Sequence, residues 1–125
     1  MDLARKRTTP IVLEQVRREI FHLDACVCEP VVFEMMLGAR RDERRKLERE
    51  FAVVPLLVTP PGLWSQAAQL SQQCRDRGFT IGALDLLIAT VALHHDAEII
   101  TFDGDFSLIA QAEPKLRVQA LVRAT

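Results

Sequence analysis

Hydrophobic positions alternate along this chain between helical stripes and short continuous runs. Ile11, Val12, Val16 and Ile20 recur at helical spacing, with Glu14, Arg17 and Arg18 on the other side, which predicts an amphipathic helix from about Ile11 to Leu23. Asp24 to Cys28 fits a short buried strand, and Pro30 then opens a helix that carries Glu34 and ends near Gly38. Asp42 to Phe51 predicts a charged helix, and the apolar, β-branched stretch Ala52 to Val58 a second strand. Pro60-Pro61-Gly62 breaks the pattern before a helix through Trp64, Ala67, Ala68, Leu70 and Cys74 that stops at Gly78. Thr80 is placed to cap the next helix, which runs to about His95 with Leu84, Leu87, Ile88 and Val91 inward. A strand from Glu98 to Phe102, a short helix from Phe106 to Ala110 and a last strand from Arg117 to Val122 complete the series. Strands separated by helices imply an α/β fold with a parallel sheet covered on both faces. No repeat, linker or low-complexity tract divides the sequence, so a single domain over residues 1–125 is expected.

Composition narrows the class. Hydrophobic residues make up 49% of the chain and charged ones 26%, the profile of an ordinary globular protein. A formal charge of -1 excludes a uniformly basic nucleic-acid binder. The charge is uneven, with Arg5, Lys6, Arg7, Arg17 and Arg18 near the start and Arg40, Arg41, Arg44, Arg45 and Lys46 in one stretch, which leaves room for a local basic face. Cys26, Cys28 and Cys74 are odd in number and include a C-x-C pair too close for a usual disulfide framework, so they read as reduced, small apolar residues. No run approaches the length of a membrane span, and the opening MDLARKRTTP is polar, so the expected location is the cytoplasm.

Four acidic residues end or open apolar segments: Glu34 in PVVFEMMLGAR, Asp85 in IGALDLLIATVALHH, and Asp103 with Asp105 in EIITFDGDF. An isolated carboxylate is costly to desolvate, so acids at such positions usually have a cation, a base or another partner nearby. In parallel sheets ligands bind beyond the carboxyl ends of strands, where Asp103 falls, and the first turns holding Asp85 and Glu34 favour negative charge. Carboxylates without His or Cys suit Mg²⁺ or Mn²⁺, and such an ion implies phosphodiester hydrolysis. Each residue also has a plainer reading. Glu34 fits a helix surface, Asp85 a first-turn acid, Asp103 an Asp-Gly turn, Asp105 an N-cap, and Thr101 a β-branched strand residue.

Other features carry less chemistry. Arg40, Arg41 and Arg44 are candidates to grip RNA phosphates, but the interleaved Asp42, Glu43 and Glu48 also describe a solvated helix with ion pairs. His94 and His95 at a helix end suit the dipole better than catalysis, and Trp64 reads as packing or an oligomer contact. A sugar transferase would use D-x-D for Mn²⁺ and leave Glu34 and Asp85 without a role. An EF-hand lacks the acids that its loop needs after Asp105.

PVVFEMMLGAR, LDLLIATVALHH and ITFDGDFSLIA together resemble the three acidic segments of PIN-domain ribonucleases, and the match is similar to VapC-type toxins over about Glu14 to Val122. The resemblance implies a three-layer PIN fold, Mg²⁺ or Mn²⁺ dependence, endonucleolytic cleavage of RNA, a neutralising antitoxin and a homodimer. It puts Glu34, Asp85 and Asp103 at the family's acidic positions, with Asp105 a supporting acid and Thr101 orienting the site. The family begins with a central strand that ends in an Asp, whereas Met1-Asp2-Leu3 enters the pattern after it, inside the first helix. The expectation is therefore a PIN-like domain lacking that first strand and ligand, through an upstream start or, alternatively, as an inactive truncated module that binds an antitoxin or a second copy. Asp2 does not replace the Asp.

Overall fold

Prolines set the limits of the first strand pair, because proline has no N–H to donate to a ladder. The computed structural model describes residues 26–121 and keeps β1 to Val27–Cys28 and β2 to Leu56–Leu57. They pair in parallel as Val27 with Leu56 and Cys28 with Leu57, and the Val27 N–H donates to the Pro55 carbonyl at 2.9 Å. Helix α1 (Glu29–Gly38) starts at once after β1 with Pro30 in its first turn, where the missing N–H costs nothing. Helix α2 (Arg41–Ala52) follows, and Glu43 reaches back to accept the Arg40 N–H at 3.2 Å.

The expected strand from Ala52 to Val58 is therefore mostly something else. Ala52 closes α2, the Val53 and Val54 N–H groups bond back to Glu50 and Phe51, and only the two residues after Pro55 pair. Helix α3 (Leu63–Asp76) ends in a turn that needs Gly78 at φ +81°, with the Phe79 N–H donating to the Cys74 carbonyl at 2.9 Å. Helix α4 (Ala83–His95) is entered through Gly82, not Thr80, so the expected threonine cap is not formed. It ends with Asp96 in the left-handed region and the Ala97 N–H on the Ala92 carbonyl. Strand β3 (Glu98–Thr101), helix α5 (Asp105–Ala112) and strand β4 (Arg117–Ala120) complete the order.

β3 and β4 run parallel from Glu98 opposite Arg117 to Thr101 opposite Ala120. Among the described residues the strands form two separate parallel pairs, and none joins one pair to the other. The helix expected over Ile11–Leu23, the basic residues near the start, Asp2 and Val122 lie outside the described residues.

Helix α4 packs against α1, α3, α5 and β3. Leu86, Ile88, Ala89, Val91 and Ala92 are all buried on it, and Leu84 and Leu87, expected inward, are partly buried. The core continues through Val31 and Met35 of α1, Leu63, Leu70 and Cys74 of α3, Ile99 of β3, and Phe106 and Ile109 of α5. Trp64 is 75% exposed, so the expected packing role is not met among the described residues. No helix among the described residues is long and apolar enough to cross a membrane.

All three cysteines are free thiols. Burial pushes the Cys28 and Cys74 thiols up, whereas Cys26 is half-buried. With Ellman's reagent at about pH 8 one thiol is expected to react fast and two only on unfolding. Fast reaction at Cys74 would contradict the packing of α3.

A Cβ at Gly78 meets no atom but is forced to positive φ, whereas Gly104 is open and has an ordinary helical φ of -68°. Gly78→Ala is expected to lower unfolding free energy by about 1 kcal/mol, and Gly104→Ala to change it by less than about 0.5 kcal/mol. Urea titration of the two variants checks the contrast.

Candidate functional site

Three elements place their ends at one point. Asp85 is the third residue of α4, in the turn whose backbone N–H groups have no helical acceptor. Asp85 is 6% exposed although its neighbours in the helix are apolar. Asp103 stands two residues beyond β3, and Asp105 is the first residue of α5. Because α4 packs on both β3 and α5, one carboxylate oxygen from each of Asp85, Asp103 and Asp105 lies within 4.8 Å of the others.

The connection from β3 to α5 is held by two side-chain-to-backbone hydrogen bonds. The Asp103 N–H donates to Thr101 Oγ1 at 2.9 Å, and the Asp105 N–H donates to Asp103 Oδ1 at 3.1 Å. Thr101 is 1% exposed, so its hydroxyl is a fixed post in the last position of the strand. Asp105 is not the N-cap of α5. Gly104 has that place, and Asp103 supplies the oxygen that holds the first helical N–H. The plainer reading of Asp103 as an Asp-Gly turn residue is met, since its Oδ1 accepts the Asp105 N–H, and the same residue also joins the acidic group.

Glu34 lies outside this group. It is half-buried on α1, which reaches α4 by packing, so it belongs to the neighbourhood of the site without sharing its oxygen cluster. Arg40 is committed to Glu43 through Nε at 3.0 Å and Nη2 at 2.9 Å, while Arg41 and Arg44 are exposed on α2. His95 closes the far end of α4, with Nε2 2.7 Å from the Val58 carbonyl oxygen. His94 and His95 stand edge to face there, away from the acidic N-terminal turn.

The donors suit a hard cation. They are all carboxylate oxygens, two come from helix N-terminal turns, and among the described residues no sulfur or imidazole joins the group. Three carboxylates this close repel one another unless positive charge sits between them, and the two helix N-termini supply only part of it.

These features define a parallel-stranded α/β protein with an acidic centre at the meeting of one strand end and two helix starts. A PIN-domain family model matches residues 1–112, and the chain belongs to the PIN-domain family. It is 32% identical to ribonuclease VapC11 of Mycobacterium tuberculosis over 111 residues, 85% of this chain and 83% of that protein. VapC ribonuclease Mb1587 of Mycobacterium bovis is similar to the same extent. Among solved structures, VapBC2 from Rickettsia felis bound to a DNA fragment from their promoter superposes with a TM-score of 0.68 at 18% identity, covering 86% of this chain and 85% of that one. FitAB bound to an IR36 DNA fragment gives a TM-score of 0.66 at 22% identity, over 93% of this chain and 85% of that one. At those identities the structures speak for the fold.

Thr101→Val keeps shape and β-propensity but removes the acceptor of the Asp103 N–H. A loss of about 1 kcal/mol in unfolding free energy is expected, with Thr101→Ser closer to the parent. Equal stability of the three proteins in urea would show that the Thr101 hydroxyl does not hold the turn.

Proposed function

We propose that the chain is an Mg²⁺- or Mn²⁺-dependent endoribonuclease that hydrolyses RNA phosphodiester bonds, and that it is the toxin of a toxin–antitoxin pair. The observation that carries this reading is the convergence of Asp85, Asp103 and Asp105 to within 4.8 Å. Relatives that carry the name ribonuclease support the reaction, and the family resemblance supplies the antitoxin. RNA as substrate puts the work in the cytoplasm. Exposed Phe33, Leu37, Val53, Leu56 and Val58 offer apolar surface to an antitoxin or to a second copy in a homodimer.

In this reading Asp85, Asp103 and Asp105 would hold the ion, with Glu34 on α1 a further candidate ligand. When bound, the ion polarises the phosphodiester and lowers the pKa of an attacking water. The chain's own task is to keep three carboxylates charged and aimed. The first turn of α4 holds Asp85 in its dipole field, and Thr101 fixes the backbone of Asp103, whose own Oδ1 fixes the start of α5. Buried apolar side chains beneath the acids, Phe106 and Leu86, limit how far the group can spread to relieve repulsion.

Two measurements test the reading together. In EDTA, Asp85→Asn is expected to melt at or above the parent temperature, because it removes one of three mutually repelling charges. Mn²⁺ at about a hundredfold over its dissociation constant should stabilise the parent by about 2.7 kcal/mol and the variant by far less. Cleavage of a structured RNA in Mn²⁺ should fall by at least about 10²-fold in Asp85→Asn and Asp103→Asn, both of which keep a side-chain oxygen acceptor. A parent that binds Mn²⁺ but leaves RNA intact would point instead to an inactive PIN module that serves only to bind its partner.

A further inference from the structure

The charges of α2 are sorted by face, apart from Arg44, which falls on the side of Leu47 and Phe51. Leu47 and Phe51 are its partly buried residues, packed against the core, and they define the inner side. At about 3.6 residues per turn, Arg41, Arg45, Arg49 and Lys46 then fall within an outward arc of about 140°. All four are exposed. The acids are placed elsewhere or already engaged. Glu43 and Glu50 are half-buried toward the inner side, and Asp42, the one acid in the outward arc, lies 4.0 Å from Arg40 Nε. Glu48 flanks the stripe at its edge. Arg40, read from sequence as part of a phosphate grip, is spent on Glu43 at the helix entry. Among the described residues no ion pair is formed by Arg41, Arg45, Lys46 or Arg49.

We propose that the outward face of α2, carrying Arg41, Arg45, Arg49 and Lys46, is a docking surface for the phosphate backbone of single-stranded RNA beside the acidic centre. The proposal rests on the ribonuclease reading and names how that substrate is held. Successive arginines one turn apart along a helix are spaced by about 6 Å, close to the interval between phosphates of an extended strand, so one side can follow the other. Placement agrees with this use. α2 follows directly on α1, and the Glu34-to-Arg41 path of one helical turn plus a short link spans at most about 17 Å. A strand lying on α2 therefore comes within a few nucleotides of Glu34, on the helix that packs against α4. Guanidinium groups suit the task because they bind phosphate oxygens in pairs at any base sequence. An acidic polypeptide is the competing occupant. It matches the charge and, with acids at alternate positions of an extended strand, the spacing as well, so RNA is chosen because it is the occupant on which the ribonuclease reading would have the acidic centre act.

The test uses the full chain in EDTA, where the acidic centre is idle, and reads anisotropy of a fluorescein-labelled oligouridine. The triple variant R41Q/R45Q/R49Q is compared with R41K/R45K/R49K and with R40Q as a control on the same helix, all three checked for helicity by circular dichroism. At about 0.1 M salt the glutamine triple is expected to bind at least tenfold more weakly than the parent. Its plot of log affinity against log salt should be flatter by about 2, three contacts at about 0.7 each, with the lysine triple and R40Q near the parent. In Mn²⁺ the glutamine triple should raise KM for RNA cleavage and keep kcat. Parent-like oligouridine affinity and slope in the glutamine triple overturn the proposal. So does a parent that binds labelled poly-glutamate through the same arginines as tightly as it binds RNA. Cleavage by the parent that survives either result leaves the ribonuclease reading standing without this surface, whereas absent cleavage with intact oligouridine binding removes that reading and keeps the surface.

Discussion

Everything in this domain depends on burying α4 with a carboxylate in it. The helix is apolar around nearly its whole circumference and packs on three other helices and a strand, so it cannot turn a polar face to water. A charge inside such a helix would be prohibitive at most of its positions, because the backbone N–H groups there are already used. The first turn is the exception. Its N–H groups have no helical acceptors and its dipole is positive, and that is where Asp85 stands. Geometry of the site follows from this constraint, since whatever collects around Asp85 has to collect at the N-terminal end of α4.

What collects there is set by a rigid connection. Three residues link β3 to α5, too few for the chain to wander, and Phe106 and Ile109 are fully buried anchors just inside the helix. Within the link each turn of direction is secured by a side chain that accepts a neighbouring backbone N–H, first Thr101 and then Asp103. Asp103 thus does two things with one carboxylate. Oδ1 builds the turn, and the group as a whole contributes to the acidic centre. Such economy makes the segment sensitive, because a change that spoils the turn also moves a charge.

The order of helices and strands was legible in the alternation of stripes and runs, and Asp85, Asp103 and Asp105 were legible because each sits where an apolar segment begins or ends. Glu34 carries the same signature and lies outside their oxygen cluster. A sequence pattern tells that an acid terminates an element, but not how closely that end approaches another, which depends on how α1 lies on α4. Strand β2 shrank for a different reason. Val53 and Val54 have strand propensity, yet the helix preceding them runs through Ala52 to its own hydrogen-bonded end, and Pro55 then delays pairing until Leu56. Thr80 was the better cap by residue type, but α4 begins at Ala83, beyond its reach, because burial of Leu86 and Ala89 fixes where the helix starts. Trp64 was unreadable in the same way, since only the packing of α3 decides which of its faces meets the core.

A net charge of -1 hides a strong separation. The acidic centre gathers three carboxylates where a parallel fold puts its chemistry, and the outward face of α2 gathers four cations on a helix that follows directly from α1. A polyanion approaching the acidic centre alone would be repelled. At about 0.1 M ionic strength fields fade over about 10 Å, so attraction has to come from nearby and cannot be supplied by the protein's overall charge. In the proposed reading a cation held by the carboxylates would reverse the sign at the centre, and the basic face of α2 would hold the strand. On that proposal an almost neutral domain has a direction for RNA, held on α2 and cut at the start of α4. Either feature alone would be ordinary, since acidic clusters and charged helices are common on protein surfaces. What would make the pair a working unit is the short connection from α1 to α2, which ties the basic helix to the helix that packs on α4.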